Sequence, residues 1–243
     1  MANDKFFSAT KTLLHFEGSG STFTDVKSKT YTGNGSVALS SAQSRYGSSS
    51  LLLDGTDDYI YTSTNVTDFN FGTSPYTVEA SIKTSSNNGC IFDFYGTAGA
   101  YGWRLEVNIN GNIVMTSGGG SVTVATVDVR DNNWHDIAVD KVGSTVYVYI
   151  DGDMKTSGEC ANTANSTATQ LTIGAYANGT YRFNGYIDEV RVTKGVARYK
   201  GSDYTPAAFG DLQADIWGFN KSTRKISNPR TVMRASQIRH LGV

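Results

Sequence analysis

Two cysteines, three prolines and three histidines in 243 residues are a sparse endowment, and the chain also lacks any run of about 18 consecutive apolar residues. Each shortage excludes something. Cys90 and Cys160 are too few for a disulfide framework, and neither belongs to a C-x-x-C pair, so both read as isolated thiols of a cytoplasmically made protein, with a single bridge between them as the alternative. Without a long apolar run no membrane span is expected, and without a basic region leading into an apolar stretch near Met1 no secretory signal is expected. The sequons at Asn65, Asn165, Asn178 and Asn220 therefore read as turn asparagines rather than glycan acceptors. His15, His135 and His240 are scattered, and none has the i, i+4 spacing of a helical zinc pair. Gly118-Gly119-Gly120 lies between two strand-like runs rather than ahead of a helix, which argues against a phosphate loop.

What is present points to an all-β protein. Apolar residues make up 39% of the chain, aromatics 12% and charged residues only 18%, enough to build a core and too little charge for disorder. Apolar and polar residues alternate in short blocks: Leu51–Leu53, Tyr59–Tyr61, Thr77–Lys83, Leu105–Ile109, Ile113–Thr116, Ser121–Val127, Asp136–Lys141, Val146–Ile150, Gln170–Ile173 and Tyr186–Val192. A period of two marks strands with one face on a core. So many strands predict two packed sheets rather than one flat one. Asn110-Gly111 and Asp151-Gly152 each separate two such blocks and accept the positive φ angles of a type I′ turn, so each predicts a hairpin.

Charge divides the chain. Residues 212–243 hold six basic side chains, Lys221, Arg224, Lys225, Arg230, Arg234 and Arg239, against Asp215, a net of +5 that leaves −6 for the remainder. Asn228-Pro229 reads as a cap and first turn of one short basic helix stopped by Gly242, too short to persist alone. Phosphate contacts are the ordinary use of such a tail, yet no base-reading fold accompanies it, and Trp217 and Phe219 just before it suit a protein groove better. The expectation is an anchor made of Trp217, Phe219, Arg224, Lys225, Arg230, Arg234 and Arg239, with no specific nucleic acid as partner.

Several segments together resemble the laminin-G-like, concanavalin A-like jelly-roll family. The resemblance rests on Leu13-Leu14-His15-Phe16-Glu17-Gly18, on Gly47-Ser48-Ser49-Ser50-Leu51-Leu52-Leu53-Asp54-Gly55-Thr56-Asp57-Asp58-Tyr59, on Tyr76-Thr77-Val78-Glu79, on Asn133-Trp134-His135-Asp136 with Val146–Gly152, and on Gly185-Tyr186-Ile187-Asp188-Glu189-Val190-Arg191. It implies a two-sheet antiparallel sandwich over residues 13–211, with a leader at 1–12 and a basic, partly helical extension at 212–243. It implies a structural role for His135 at a strand start. It also implies one structural Ca²⁺, held by Asp188 with carbonyls near Glu17 and Gly47. The ending Gly195-Val196-Ala197-Arg198-Tyr199 is similar to that of phage-like members, which implies a virion surface protein, a capsid decoration or a tail or fibre component, assembled in the host cytoplasm with other virion proteins and as a homo-oligomer.

Catalysis is not expected. Jelly-roll glycanases carry an E-x-D-x-x-E string whose alternate carboxylates share one strand face, and this chain has no such string. Recognition of a cell-surface glycan is expected instead, because aromatic faces stack on sugar rings while amides and charges take the hydroxyls. Tyr95, Tyr101 and Trp103 around one glycine-rich loop, with Asn178, Tyr181 and Arg182 on another, are the candidate residues. A free-standing lectin and a polysaccharide hydrolase or lyase are the competing readings.

Overall fold

A computed structural model describes residues 4–96, 101–160 and 163–209. Among the described residues, fifteen strands build two antiparallel sheets. They are β1 (Thr10–Leu14), β2 (Thr32–Asn34), β3 (Ala38–Ser40), β4 (Ser50–Asp54), β5 (Tyr59–Thr62), β6 (Tyr76–Thr84), β7 (Gly89–Phe94), β8 (Trp103–Val107), β9 (Ile113–Ser117), β10 (Gly120–Thr123), β11 (Trp134–Val142), β12 (Thr145–Ile150), β13 (Asp153–Glu159), β14 (Leu171–Ile173) and β15 (Asn184–Lys194). One sheet runs β13-β12-β11-β6-β15-β4-β3, with β1 also paired to β15; the other runs β10-β9-β8-β7-β14-β5-β2. Sequence neighbours pair along part of each sheet, but β6–β15 and β7–β14 close long connections, as a jelly roll requires.

The core lies between the sheets. Val78, Ala80 and Ile82 of β6, Ile137 and Val139 of β11 and Leu51 and Leu53 of β4 face Ile60, Phe92, Leu105, Val107 and Ile173 from the other sheet, all in one buried cluster. Phe71 stacks between Tyr76 and Trp103, with ring centroids 4.1 and 5.1 Å away.

The Asp151-Gly152 hairpin forms as the sequence predicts: Ile150 pairs with Asp153, and both turn residues have positive φ, 57° and 88°. At Asn110-Gly111 the strands are adjacent, but the loop is longer. Val107 pairs with Ile113, only Gly111 takes a positive φ (78°), and Asn108 Oδ1 accepts the N–H groups of Asn110 and Asn112. The Asn108 carbonyl also accepts the Gly111 N–H, so the turn closes on Asn108 with its side chain as a second acceptor. Gly118 and Gly119 are the two central residues of the tight β9–β10 turn. Asn65 is left-handed (φ 50°), as a turn asparagine should be.

The outer face of the eight-stranded sheet is covered. The chain turns back after β15, and residues 196–209 lie across β6, β11 and β12. Asp140 is fully buried there and accepts the N–H groups of Arg198, Tyr199 and Lys200 together with the Thr77 hydroxyl. Glu79 forms a two-pronged pair with Arg191 at 2.6 Å in each arm and also accepts from the Tyr199 hydroxyl. A bulge in β15 makes this possible: Glu189 takes φ 47°, the pairing with β6 slips between Asp188 and Arg191, and Arg191 comes to stand opposite Glu79.

One expectation needs correction here. Of the leader expected at 1–12, the described residues from Asp4 on are built into the sandwich: β1 begins at Thr10, and the Asp4 carboxylate accepts both terminal amino groups of Arg198 at 2.8 Å. Cys90 and Cys160 are buried and free, as isolated thiols should be, and burial pushes the Cys90 thiol well up. The anchor residues Trp217, Phe219, Arg224, Lys225, Arg230, Arg234 and Arg239 lie outside the described residues.

Candidate functional site

The outer face of the seven-stranded sheet is open, and the alternation along its strands decides what it shows. On β8, Trp103, Leu105 and Val107 point into the core, so Arg104 and Glu106 point out. On β7, Phe92 and Phe94 point in and Asp93 points out, directly opposite Arg104 in the register. The loop between β14 and β15 then folds over this face. The Tyr176 carbonyl accepts the Gly179 N–H, Asn178 Oδ1 accepts from Thr180, and the Tyr181 carbonyl accepts the Cys90 N–H at 2.8 Å.

These pieces assemble into one ladder. Tyr181 stacks on Tyr176 with centroids 4.3 Å apart and planes 28° apart; the Arg104 guanidinium lies 3.4 Å from the Tyr176 ring and 4.8 Å from the Tyr95 ring; Tyr95 meets Tyr101 at 5.6 Å. A guanidinium between two rings joins cation–π attraction to face packing. Both ends are open, with Tyr181 47% and Tyr101 38% exposed. Tyr181 holds its outward position with φ 51°, a left-handed conformation that a bulky side chain adopts only when the surroundings impose it.

Beside the middle of the ladder is a cavity of about 440 Å³, lined by Asp93, Tyr95, Arg104, Gln170, Tyr176 and Asn178 among others. Its size falls in the range of small-ligand sites, about 300–1,000 Å³. Asp93 Oδ1 accepts Arg104 Nε at 2.9 Å and the Tyr95 N–H, while Oδ2 accepts the Ala177 N–H at 2.7 Å. Glu106 accepts the Tyr176 hydroxyl, and the combination of burial and this carboxylate pushes the Tyr176 phenol far up, so it stays protonated.

Of the six residues expected to bind a sugar, four meet here: Tyr95, Tyr101 and Tyr181 are ladder members, and Asn178 lines the cavity. Arg182 is exposed next to Tyr181 in sequence and outside the cavity. Trp103 does not belong: it is fully buried, stacked on Phe71, with its indole N–H donated to the Phe69 carbonyl at 2.8 Å. Its phase with Leu105 and Val107 already placed it inside. Arg104 and Tyr176 were missed, although the same phase signals Arg104.

Of the expected calcium ligands, the Asp188 carboxylate does not fit a cation. Asp188 is fully buried, and its carboxylate accepts the N–H groups of Arg45 (2.8 Å), Tyr46 (3.1 Å) and Glu189 (2.9 Å). Glu17 accepts the Ser48 N–H and hydroxyl beside Gly47. Donor hydrogens converge on both carboxylates, where a cation would need bare oxygens. Asp188 and Glu17 clamp the 45–48 turn instead. His135 bridges Asp151 at 2.8 Å and Asp131 at 3.1 Å, and the bond to Asp151 is the main cause of its raised pKa, which is the structural role expected of it.

Residues 54–198 match the family model of the laminin-G-type concanavalin A-like lectin/glucanases superfamily. A search of the curated proteins brought no match. Among solved structures, the binding domain of Paraclostridial Mosquitocidal Protein 1 is similar over 79% of this chain and 50% of its own, at TM-score 0.60 and 14% identity. The botulinum neurotoxin serotype D binding domain is similar over 79% and 49%, at 0.56 and 15%. The binding domain of botulinum neurotoxin DC in complex with SialylT is similar over 81% and 48%, at 0.55 and 13%. The chain thus spans about half the length of these neighbours, and the likeness is one of fold. With the family model covering more than half of its residues, the chain belongs to the concanavalin A-like lectin/glucanases superfamily.

Proposed function

We propose that this domain binds glycans without cleaving them, on the outer face of the seven-stranded sheet. The observation that carries the reading is the Tyr181–Tyr176–Arg104–Tyr95–Tyr101 ladder beside the cavity. Exposed rings offer apolar faces for pyranose stacking, and the cavity supplies amide and charged groups for hydroxyls. The neighbour in complex with SialylT supports a sugar as the ligand class. Both carboxylates on this face are already committed, Asp93 to three donors and Glu106 to a phenol, whereas glycoside cleavage needs one carboxyl as proton donor and another free as base or nucleophile. Retardation of the protein in polysaccharide-containing native gels, lost in Tyr95→Ala and Tyr181→Ala, tests the reading. Equal mobility of the variants and the parent in every polysaccharide would refute it.

The domain is further proposed to be displayed on a phage virion, as a capsid decoration or a tail or fibre component held to other virion proteins, in copies, by residues 212–243. The similarity of Gly195–Tyr199 to phage-like endings and the +5 charge of that segment support this. Particles assembled with a protein ending at Asp211 test it: loss of the domain from purified particles supports the anchor, and normal incorporation rejects it.

A further inference from the structure

The arginines of this chain differ in what their forked ends do. Arg191 and Arg198 spend their terminal amino groups on Glu79, Asp4, Tyr199 and Thr10. Arg45 spends one on Asp136, and Arg130 spends both on Asp128 and the carbonyls of Ile109 and Asn110. Arg104 is held by contacts with the Tyr95 and Tyr176 rings and by its Nε bond to Asp93, yet among the described residues neither of its terminal amino groups has an acceptor. It lines the 440 Å³ cavity. An immobilised guanidinium with an unused forked edge at a cavity is a preformed receptor for a planar anion, because the two N–H vectors match the two oxygens of a carboxylate.

From this we infer that the groove takes a carboxylated sugar, a uronic or sialic acid residue, with its carboxylate on the terminal amino groups of Arg104. Asp93 offsets part of the guanidinium charge but leaves the forked edge open. Its own charge is shared with the Tyr95 and Ala177 N–H groups, and it occupies only the Nε side. The sugar ring would lie against Tyr95. Asn178, whose Oδ1 is used by Thr180, keeps its Nδ2 for a ring hydroxyl. Because the π contacts already fix the guanidinium, little side-chain entropy remains to be lost when the anion arrives.

The inference rests on the glycan-binding reading, and the experiment separates the two. Calorimetric titration is run with trigalacturonic acid and with 3′-sialyllactose, each beside its carboxyl-reduced form and a sulfated neutral trisaccharide. The expected result is that at least one acid binds about tenfold or more tightly than its reduced form, as one charge-assisted bidentate contact warrants. Arg104→Lys and Arg104→Gln should lose most of that preference, bringing the affinities for the acid and its reduced form close together. Comparison of acid with reduced sugar needs no variant, so a misfolded Arg104 protein leaves the test intact. Equal binding of acid and reduced forms overturns the carboxylate assignment and leaves glycan binding standing. Equal or tighter binding of the sulfated sugar overturns it too, in favour of a site for any anion. Failure of every sugar to bind overturns both readings.

Discussion

The two outer faces of the sandwich use the same residue types to opposite ends. On the eight-stranded sheet, Glu79, Asp140, Arg191, Arg198 and Tyr199 are bonded to one another beneath residues 196–209, and the Tyr149 hydroxyl accepts the Gly201 N–H. On the seven-stranded sheet, Asp93, Arg104, Glu106, Tyr95 and Tyr176 are also bonded to one another, but the arrangement stops short of closure: ring faces and a guanidinium edge stay open to a cavity. Closure makes polar groups structural, and an unfinished network makes them available to a ligand.

The sharpest way to break this contrast is to break the closed face. Glu79→Gln should strip buried Arg191 of its two-pronged partner, leaving it the single 3.4 Å ion pair with Asp4, and cost about 3–5 kcal/mol in denaturant unfolding, while any protein that remains folded keeps its sugar affinity. A loss below about 1 kcal/mol would mean that the closed face is less dry than its geometry says. Trp103→Ala and Tyr181→Ala sharpen the difference within one sheet. The first should cost about 3–5 kcal/mol of stability because a filled core site is emptied. The second should change stability by under about 1 kcal/mol yet weaken sugar binding about tenfold, since it removes an exposed ladder end. Identical behaviour of the two in melting and titration would dissolve the distinction between core ring and ligand ring.

A subtler prediction concerns pH. Burial, opposed by three N–H donors, raises the Asp188 pKa to about 7. A folded-state pKa above the unfolded value means that the native protein binds the extra proton, so this contribution to stability is complete below about pH 4 and is lost as pH rises through about 7. His135, raised chiefly by its bond to Asp151, has the same sign: its contribution is whole below about pH 6.5 and fades as pH climbs through the raised value. Melting curves from pH 4.5 to 8 should therefore fall less steeply for Asp188→Asn than for the parent. A parallel pair of curves would show that Asp188 is ionised throughout. The smallest expected effect is that of calcium: exchange of calcium for a chelator should leave the melting temperature within about one degree, because the Asp188 and Glu17 carboxylates already face N–H groups.

How much of this was legible beforehand depended on whether a signal was local. Asp151-Gly152 states its own turn, and β6, β11 and β12 state their own faces by alternation. Strand β7 does not: Gly89-Cys90-Ile91-Phe92-Asp93-Phe94 is buried at every position, so no period of two appears in it. That omission hid the centre of the site, because only the pairing of Asp93 with Arg104 shows that the two face one another. Tyr176 was hidden for a related reason. It reaches Arg104 from a loop more than seventy positions along the chain, and no spacing rule connects them. The bulge at Glu189 was invisible as well, since a single inserted residue reverses the parity on which strand reading depends.

Strand β7 also carries a reporter of its own making. Cys90 lies beneath the ladder, fully buried, its thiol held in the protonated, unreactive form and donated weakly to the Leu105 carbonyl. A thiol reagent can reach that sulfur only when the structure over it opens, so the labelling rate of Cys90 is a clock for local opening around the ladder. Cys160, just past the end of β13, keeps a separate time for the far edge of the sandwich, where β13 meets β10. A sugar that slows the first clock and leaves the second unchanged would be acting on the sheet beneath the groove, and its protective effect could be read without any engineered label.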